Sequence, residues 1–142
     1  EMFGSNLENS VLIEANIARG WLGHTNATQA NFDGAILRYA LLGGAIFHRA
    51  NMRSVDLRHA DATHTKFTET DLSGSLMCNT YLYETKFNNA NLTGVDFKDA
   101  VFIDVDFSGA NLCGAYIEKQ QLAHLDLSKA QLKSLSKKPL TR

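Results

Sequence analysis

Every fifth residue from Leu7 to Leu132 is apolar, 26 positions without an insertion, running Leu7, Leu12, Ile17, Leu22 and onward to Leu122, Leu127 and Leu132. Two residues ahead of each lies a second comb, Ser5 to Ala130, in which 24 of 26 positions are Ala, Ser, Thr, Val or Gly, with Gln120 and Leu125 the two breaks. The position between the combs is Asn or Asp in 13 of 26 repeats. The unit therefore reads small, Asn/Asp, Leu/Phe, and two free positions. A helix turns about 100° per residue, so a five-residue period drifts about 140° per repeat and smears these residues around every face. A continuous strand fails as well, because an odd period sends successive large residues to opposite sides. Each repeat must hold a short extended step, with the small and large side chains pointing the same way, followed by a bend that Asn, Asp and Gly favour. Bends of one sense coil the chain around a stacked core, which is a solenoid.

Stretches such as Ala90-Asn91-Leu92-Thr93-Gly94 and Ala110-Asn111-Leu112-Cys113-Gly114 resemble the motif of the pentapeptide-repeat family, and the resemblance extends from Ser5 to about Ser134. It implies an all-β fold: a right-handed, quadrilateral parallel β-helix with one repeat per side and twenty residues per coil, about six and a half coils for 26 repeats. At spacing twenty, Phe47, Phe67, Phe87 and Phe107 fall in one column and are expected to form an aromatic core stack. The chain divides into a short lead (1–4), the β-helix (5–134) and a basic tail (135–142). The second comb must be small because two inward side chains share each side of a tight coil, so Gln120 and Leu125 belong near an end where the coil opens. Glu1–Gly4 is too short to cap the coil, and Lys133–Arg142 is too short for a long dimerisation helix. The expectation is that the open coil edges pair with another copy, or that the chain is part of a larger protein.

Four sides make outward residues twenty apart into neighbours. One column is apolar: Trp21, Leu41, Asp61, Tyr81, Val101 and Gln121, with Tyr83 and Ile103 two residues further on. Trp21, Leu41, Tyr81, Tyr83, Val101 and Ile103 are a candidate interface for a protein partner or for self-association. β-Branched and aromatic residues also simply favour strand exteriors. The adjoining side carries Arg38 and Arg58, with Arg19, Tyr39 and His59 beside them and Arg49 and Arg53 around the corners; Arg19, Arg38, Arg49, Arg53 and Arg58 form a candidate basic patch for carboxylates or phosphates. Asp56 and Glu14 are placed to offset part of it. A corner column reads His24, Gly44, His64, Glu84, Asp104, His124, where charge pairing explains the pattern as well as a metal does. The Asn31, Asn51, Asp71, Asn91, Asn111 column is read as side-chain support for repeated turns.

With 14 Lys+Arg against 15 Asp+Glu, the formal charge is −1, which argues against a strongly basic nucleic-acid binder and against an acidic mimic of nucleic acid by bulk charge. Charge is segmented along the chain: eight acids and three bases from Asp71 to Asp126, then five bases and no acid from Leu127. Such segmentation favours oriented docking. Cys78 and Cys113 have no metal-ligand spacing, and the two sequons at Asn26 and Asn91 follow from the repeat grammar. The longest nearly uncharged run, Tyr39 to Phe47, falls far short of the roughly 18 residues of a membrane span, so a soluble domain is expected. Opening on Glu1 leaves room for a removed upstream segment, and no compartment is assigned.

Catalysis requires a concave pocket with convergent polar groups, and no insertion interrupts the register to build one. The expectation is a non-catalytic binding module or scaffold with no cofactor and no metal, whose partner is a protein rather than nucleic acid or membrane. The family resemblance implies an alternative, since some members bind bacterial type II topoisomerases such as DNA gyrase by resembling a DNA duplex. This chain departs from those members in its Arg columns, short basic tail and unbroken register. A further alternative is a rigid segment of a larger regulatory or effector protein.

Overall fold

The structure, a computed structural model, describes residues 1–140. Parallel bridges link residues twenty apart on every side, among them Asn6↔Asn26, Asn31↔Asn51, Ile36↔Asp56 and Trp21↔Leu41. The chain is a quadrilateral parallel β-helix, right-handed like its structural relatives. Each side contributes one short rung of bonds: the Leu22 N–H donates to Leu41 C=O and the Asn26 N–H to Ser5 C=O, one coil onward and one coil back. Only on one side does the pairing lengthen into strands, β1 (Tyr81–Tyr83) and β2 (Val101–Ile103), in register Tyr81↔Val101 and Tyr83↔Ile103.

Corners follow a single recipe. The N–H of the small residue closes a turn onto the C=O of the preceding large one, as Thr25 does onto Leu22 and Ala35 onto Phe32. The residue just before the small one has positive φ at corner after corner, from Asn9 (58°) and His24 (56°) to Asp104 (51°). A turn with φ > 0 at its third residue is of type II, and Gly, Asn, Asp and His tolerate that region best. On the outside, Asn or Asp ahead of the large residue accepts the N–H two positions on, as Asp71 Oδ1 does from Ser73 at 3.0 Å and Asn91 Oδ1 from Thr93 at 3.2 Å. Asn51 and Asn91 also reach back one coil, to Asn31 and Asp71, each at 3.0 Å.

Both combs point inward. Large residues such as Leu22, Phe32, Leu57 and Leu82 are fully buried, and so are the small Ala35, Ala45, Thr65 and Ser75. Phe47, Phe67, Phe87 and Phe107 form a continuous stack, with ring centroids 5.4, 5.2 and 5.3 Å apart and planes within 13°. Buried hydroxyls in the small comb are all satisfied in the same way: Thr70 Oγ1 donates to Phe47 C=O at 2.6 Å, Thr80 Oγ1 to Leu57 C=O at 3.1 Å and Thr85 Oγ1 to Ala62 C=O at 2.9 Å. One coil, Thr65 to Thr85, is lined by hydroxyls at every corner. The four threonines donate to carbonyls that already accept a turn bond, so the second lone pair of a buried carbonyl is used rather than left idle, whereas Ser75 Oγ donates to Met52 C=O and itself accepts the Val55 N–H.

The domain boundaries differ from the sequence reading at both ends. Residues 1–4 are not a separate lead, because the Met2 and Gly4 N–H groups already donate to Trp21 and Gly23 C=O, placing them in the first coil. At the other end the coil stops at Ile117 although the five-residue comb continues, which gives about six coils instead of six and a half. Beyond it lie α1 (Lys119–Leu122) and α2 (Lys129–Ser134), which cap the last coil. Gln121 Nε2 donates to the C=O groups of Phe97 and Ala100, and Gln131 Nε2 to those of Phe107 and Ala110. The same side chains accept at Oε1 from the Glu118 and Ser128 N–H groups at the helix starts. The C-terminal edge is thus partly covered by this chain's own C-terminal segment, which also receives the Gly114 N–H at Ser134 C=O. A side chain the size of Gln120 does not fit the small inward position, and there the chain leaves the coil. Of the tail (135–142), residues 141–142 lie outside the described residues.

Candidate interaction surface

The geometry sorts the outward columns. Large exposed apolar side chains concentrate on one side: Phe3, Trp21, Leu41, Tyr81, Val101 and Ile103 are half of the twelve found among the described residues. Five of the six belong to the interface that the sequence predicts; Tyr83, the remaining member of that set, is half-buried, and Phe3 joins because the first coil begins at the chain's second residue. The sequence signal for Phe3 was its place twenty residues before Gly23. Gln121 leaves this column, since α1 turns its side chain onto the end of the coil. At the C-terminal half of the side, β1 and β2 present a flat platform of Tyr81, Tyr83, Val101 and Ile103. At the N-terminal half the surface sinks into a groove of about 490 Å³ lined by Phe3, Trp21, Leu41, Gly23, Gly43 and Asp61, with His24, Gly44 and His64 along its corner.

The corner column of His24, Gly44, His64, Glu84 and Asp104 is the row of positive-φ residues. His64 Nδ1 stands 3.2 Å from Glu84 Oε2, a pairing of coil-spaced neighbours. His24 instead lies over Gly44 and meets the Phe3 ring edge-on at 5.4 Å. His124 comes from the turn after α1, yet lines a cleft with Phe102, Ile103 and Asp104. No three His, Cys, Asp or Glu side chains converge in metal-ligand geometry among the described residues.

The arginines do not act as one patch. Asp56 takes Arg58 in a two-pronged pair (Nε to Oδ1 2.9 Å, Nη2 to Oδ2 2.7 Å) and also accepts from Arg38 Nε. Arg49 pairs with Glu69 at 2.8 Å on the corner of a different side. Arg19 lies 5.8 Å over the ring of Tyr39, which is itself stacked on His59 at 4.8 Å. Arg53 belongs to a third side, where its backbone N–H donates to Asn51 Oδ1. Burial alone would raise the Asp56 carboxyl, but hydrogen bonds from Arg58 and Arg38 outweigh it and hold the group below its ordinary value of 3.8. A depressed carboxyl contributes stability that is complete above its unfolded pKa and is lost as pH falls through the folded one. Asp56→Asn is thus expected to lower stability by about 1 kcal/mol at pH 7, a figure kept small by solvent screening. The gap to wild type should close below pH 3.8, where urea midpoints measured at pH 7 and pH 2.5 show it.

Cys78 is half-buried, and burial foremost pushes its thiol up to about 11, so it is not poised as a nucleophile. No helix among the described residues is long and apolar enough to cross a membrane.

The fold and surface define a rigid four-sided β-solenoid whose side chains are displayed in straight columns. The chain belongs to the pentapeptide-repeat family: the profile for pentapeptide repeats matches in eight copies over residues 22–53, 36–74, 63–99, 80–118 and 100–134. Among solved structures, a trypsin-treated form of QnrB1, a plasmid-mediated fluoroquinolone resistance protein, is 17% identical over 95% of this chain and 83% of its own, with a TM-score of 0.52. A pentapeptide repeat protein from the Arabidopsis thaliana thylakoid lumen is 22% identical over 87% of this chain and 72% of its own, with a TM-score of 0.38. HetL, a pentapeptide repeat protein involved in heterocyst differentiation regulation from the cyanobacterium Nostoc sp. strain PCC 7120, is 23% identical over 82% of this chain and 61% of its own, with a TM-score of 0.36. At these identities the likeness is one of fold. No curated protein matches the chain.

Proposed function

We propose that this pentapeptide-repeat rod is a non-catalytic docking module that holds a protein partner against its apolar side. The observation that supports this reading most directly is the concentration of exposed Phe3, Trp21, Leu41, Tyr81, Val101 and Ile103 on one of four sides. A solenoid core needs only its inward combs, so nothing in the fold requires Trp or Tyr outside. Aromatic side chains are the residues that dominate binding energy at the centres of interfaces. A rigid scaffold also loses little entropy when it binds. The topoisomerase alternative draws no support from the formal charge, which is only −1, or from Arg38 and Arg58, which stack on one side of the N-terminal half.

Capture from a native lysate, with wild type and Tyr81→Lys/Val101→Lys in parallel, tests this directly. The double substitution is expected to weaken partner retention at least about 30-fold, the effect of removing one strong anchor, while leaving the circular-dichroism spectrum unchanged because both residues face outward. Sedimentation of the two proteins alone reads self-association through the same side. Equal retention and equal sedimentation would overturn the assignment.

A further inference from the structure

The groove at the N-terminal half of the apolar side has a floor that the backbone does not demand. Gly23 and Gly43 occupy the outward position that opens the corner turn, where Thr63, Tyr83 and Ile103 stand in later coils. Neither has a positive φ, so neither is glycine for conformational reasons. A Cβ on Gly43 would meet nothing nearer than Thr63 C=O at 3.8 Å, and the space above it is open. Above Gly23 the Phe3 ring closes the groove at one end, 5.2 Å from the Trp21 ring and tilted 58° to it. Leu41 forms the wall in the middle.

Asp61 closes the other end. Its Oδ1 accepts both the backbone N–H and the hydroxyl of Thr63, at 3.0 and 2.6 Å, which fixes the carboxylate in place. Its Oδ2 has no hydrogen-bond partner among the described residues. His24 and His64 line the corner of the groove, and Glu84, which lies outside the groove, pairs with His64 from the next coil. Two inter-strand spacings, about 10 Å, separate the Trp21 and Asp61 rungs. The groove is thus apolar and aromatic along its length and anionic at one end.

We infer that this groove is an anchor site for an arginine side chain of a partner protein, its aliphatic shaft lying over Gly43 against Leu41 and Trp21 and its guanidinium paired with Asp61. The inference rests on the reading of this side as a docking surface. Arginine fits better than a wholly apolar anchor because a fixed carboxylate with one oxygen unengaged accepts from a planar guanidinium. It also fits better than a bare ion, because the groove offers shaft-length apolar cover and aromatic faces that attract cations.

Trp21 is the single tryptophan of the chain, so its emission reports on the groove without a label. The probes are n-butylguanidinium and its neutral isostere n-butylurea, titrated at pH 8 into wild type, Gly43→Leu and Asp61→Asn. Wild type should show a saturable change in Trp21 emission with n-butylguanidinium at about millimolar affinity, the range of a very small ligand. Gly43→Leu, which fills the floor without strain, should abolish it. Asp61→Asn, which keeps the Thr63 bonds, should weaken it about tenfold, as should replacing the cation by n-butylurea. Absence of a saturable response in wild type, or an undiminished one in Gly43→Leu, would overturn the site. Equal binding of n-butylurea would overturn the cationic assignment. If the groove fails while Tyr81→Lys/Val101→Lys still loses the partner, the docking side stands without this anchor; loss of partner retention in Gly43→Leu joins the two.

Discussion

Phe87→Asp is expected to unfold the rod instead of loosening it locally. Phe87 is wholly inaccessible to solvent and sits between Phe67 at 5.2 Å and Phe107 at 5.3 Å, with the edge of Phe97 against it at 6.1 Å. Removing the ring alone costs about 3–5 kcal/mol in a packed core. The new carboxylate would find no cation on the inward combs, and burying an unpaired charge adds several kcal/mol more. The sum reaches the whole stability of an ordinary domain, about 5–15 kcal/mol. In a solenoid the site touches the coils above and below, so losing it breaks the nearest-neighbour contacts on both sides of mid-rod. Far-UV circular dichroism and size exclusion read the outcome, with Phe87→Leu as the tolerated control. A soluble Phe87→Asp protein with wild-type β signal would refute the inward stack.

A second large effect separates fold from surface. Duplicating the five residues Thr70-Asp71-Leu72-Ser73-Gly74 in tandem preserves both combs, so the coil is expected to persist: each downstream large residue moves by one side and meets another large residue. The outward columns do not survive. Trp21 and Leu41 stay on their side while Tyr81, Val101 and Ile103 turn onto the next, splitting the apolar surface. Partner retention should be lost altogether while the circular-dichroism spectrum and solubility remain. Duplicating residues 55–74, a full coil of twenty matching the bridge spacing, should keep the side intact and retain far more binding. A five-residue insertion that binds as wild type would show that continuity of this side is irrelevant to docking.

Both experiments depend on how legible the molecule was in its sequence. The inward combs followed from a period of five, because a coil this tight leaves each position one environment, while the Phe47 to Phe107 stack and the apolar column also needed the twenty-residue coil that the family resemblance implies. The cap was not legible from the period. Leu122, Leu127 and Leu132 continue the large comb after the coil has ended, but only Leu122 and Leu127 pack partly against the core, and Leu132 is exposed. The signal present was local: Glu118 followed three residues later by Gln121, which spans the first break in the small comb at Gln120, and Ser128 followed by Gln131, after the second at Leu125, are helix-start patterns. The basic patch was legible as columns of arginine but not as a network. That Asp56 would lie between Arg38 and Arg58 depends on how far each side chain reaches across neighbouring coils.

The sequence by itself determined which side chains point inward and where the corners fall, and with the four-sided coil that its family resemblance implies, which outward residues share a side. These are consequences of steric exclusion acting identically at every repeat, and identical constraints are readable from periodicity. Only the tertiary structure decided where the coil begins and ends, how its C-terminal edge is closed, which charges neutralise one another and where Gly23 and Gly43 open a groove between Phe3 and Asp61. Those features arise from single side chains meeting across coils at particular distances, and a repeat pattern carries no record of a contact that occurs once.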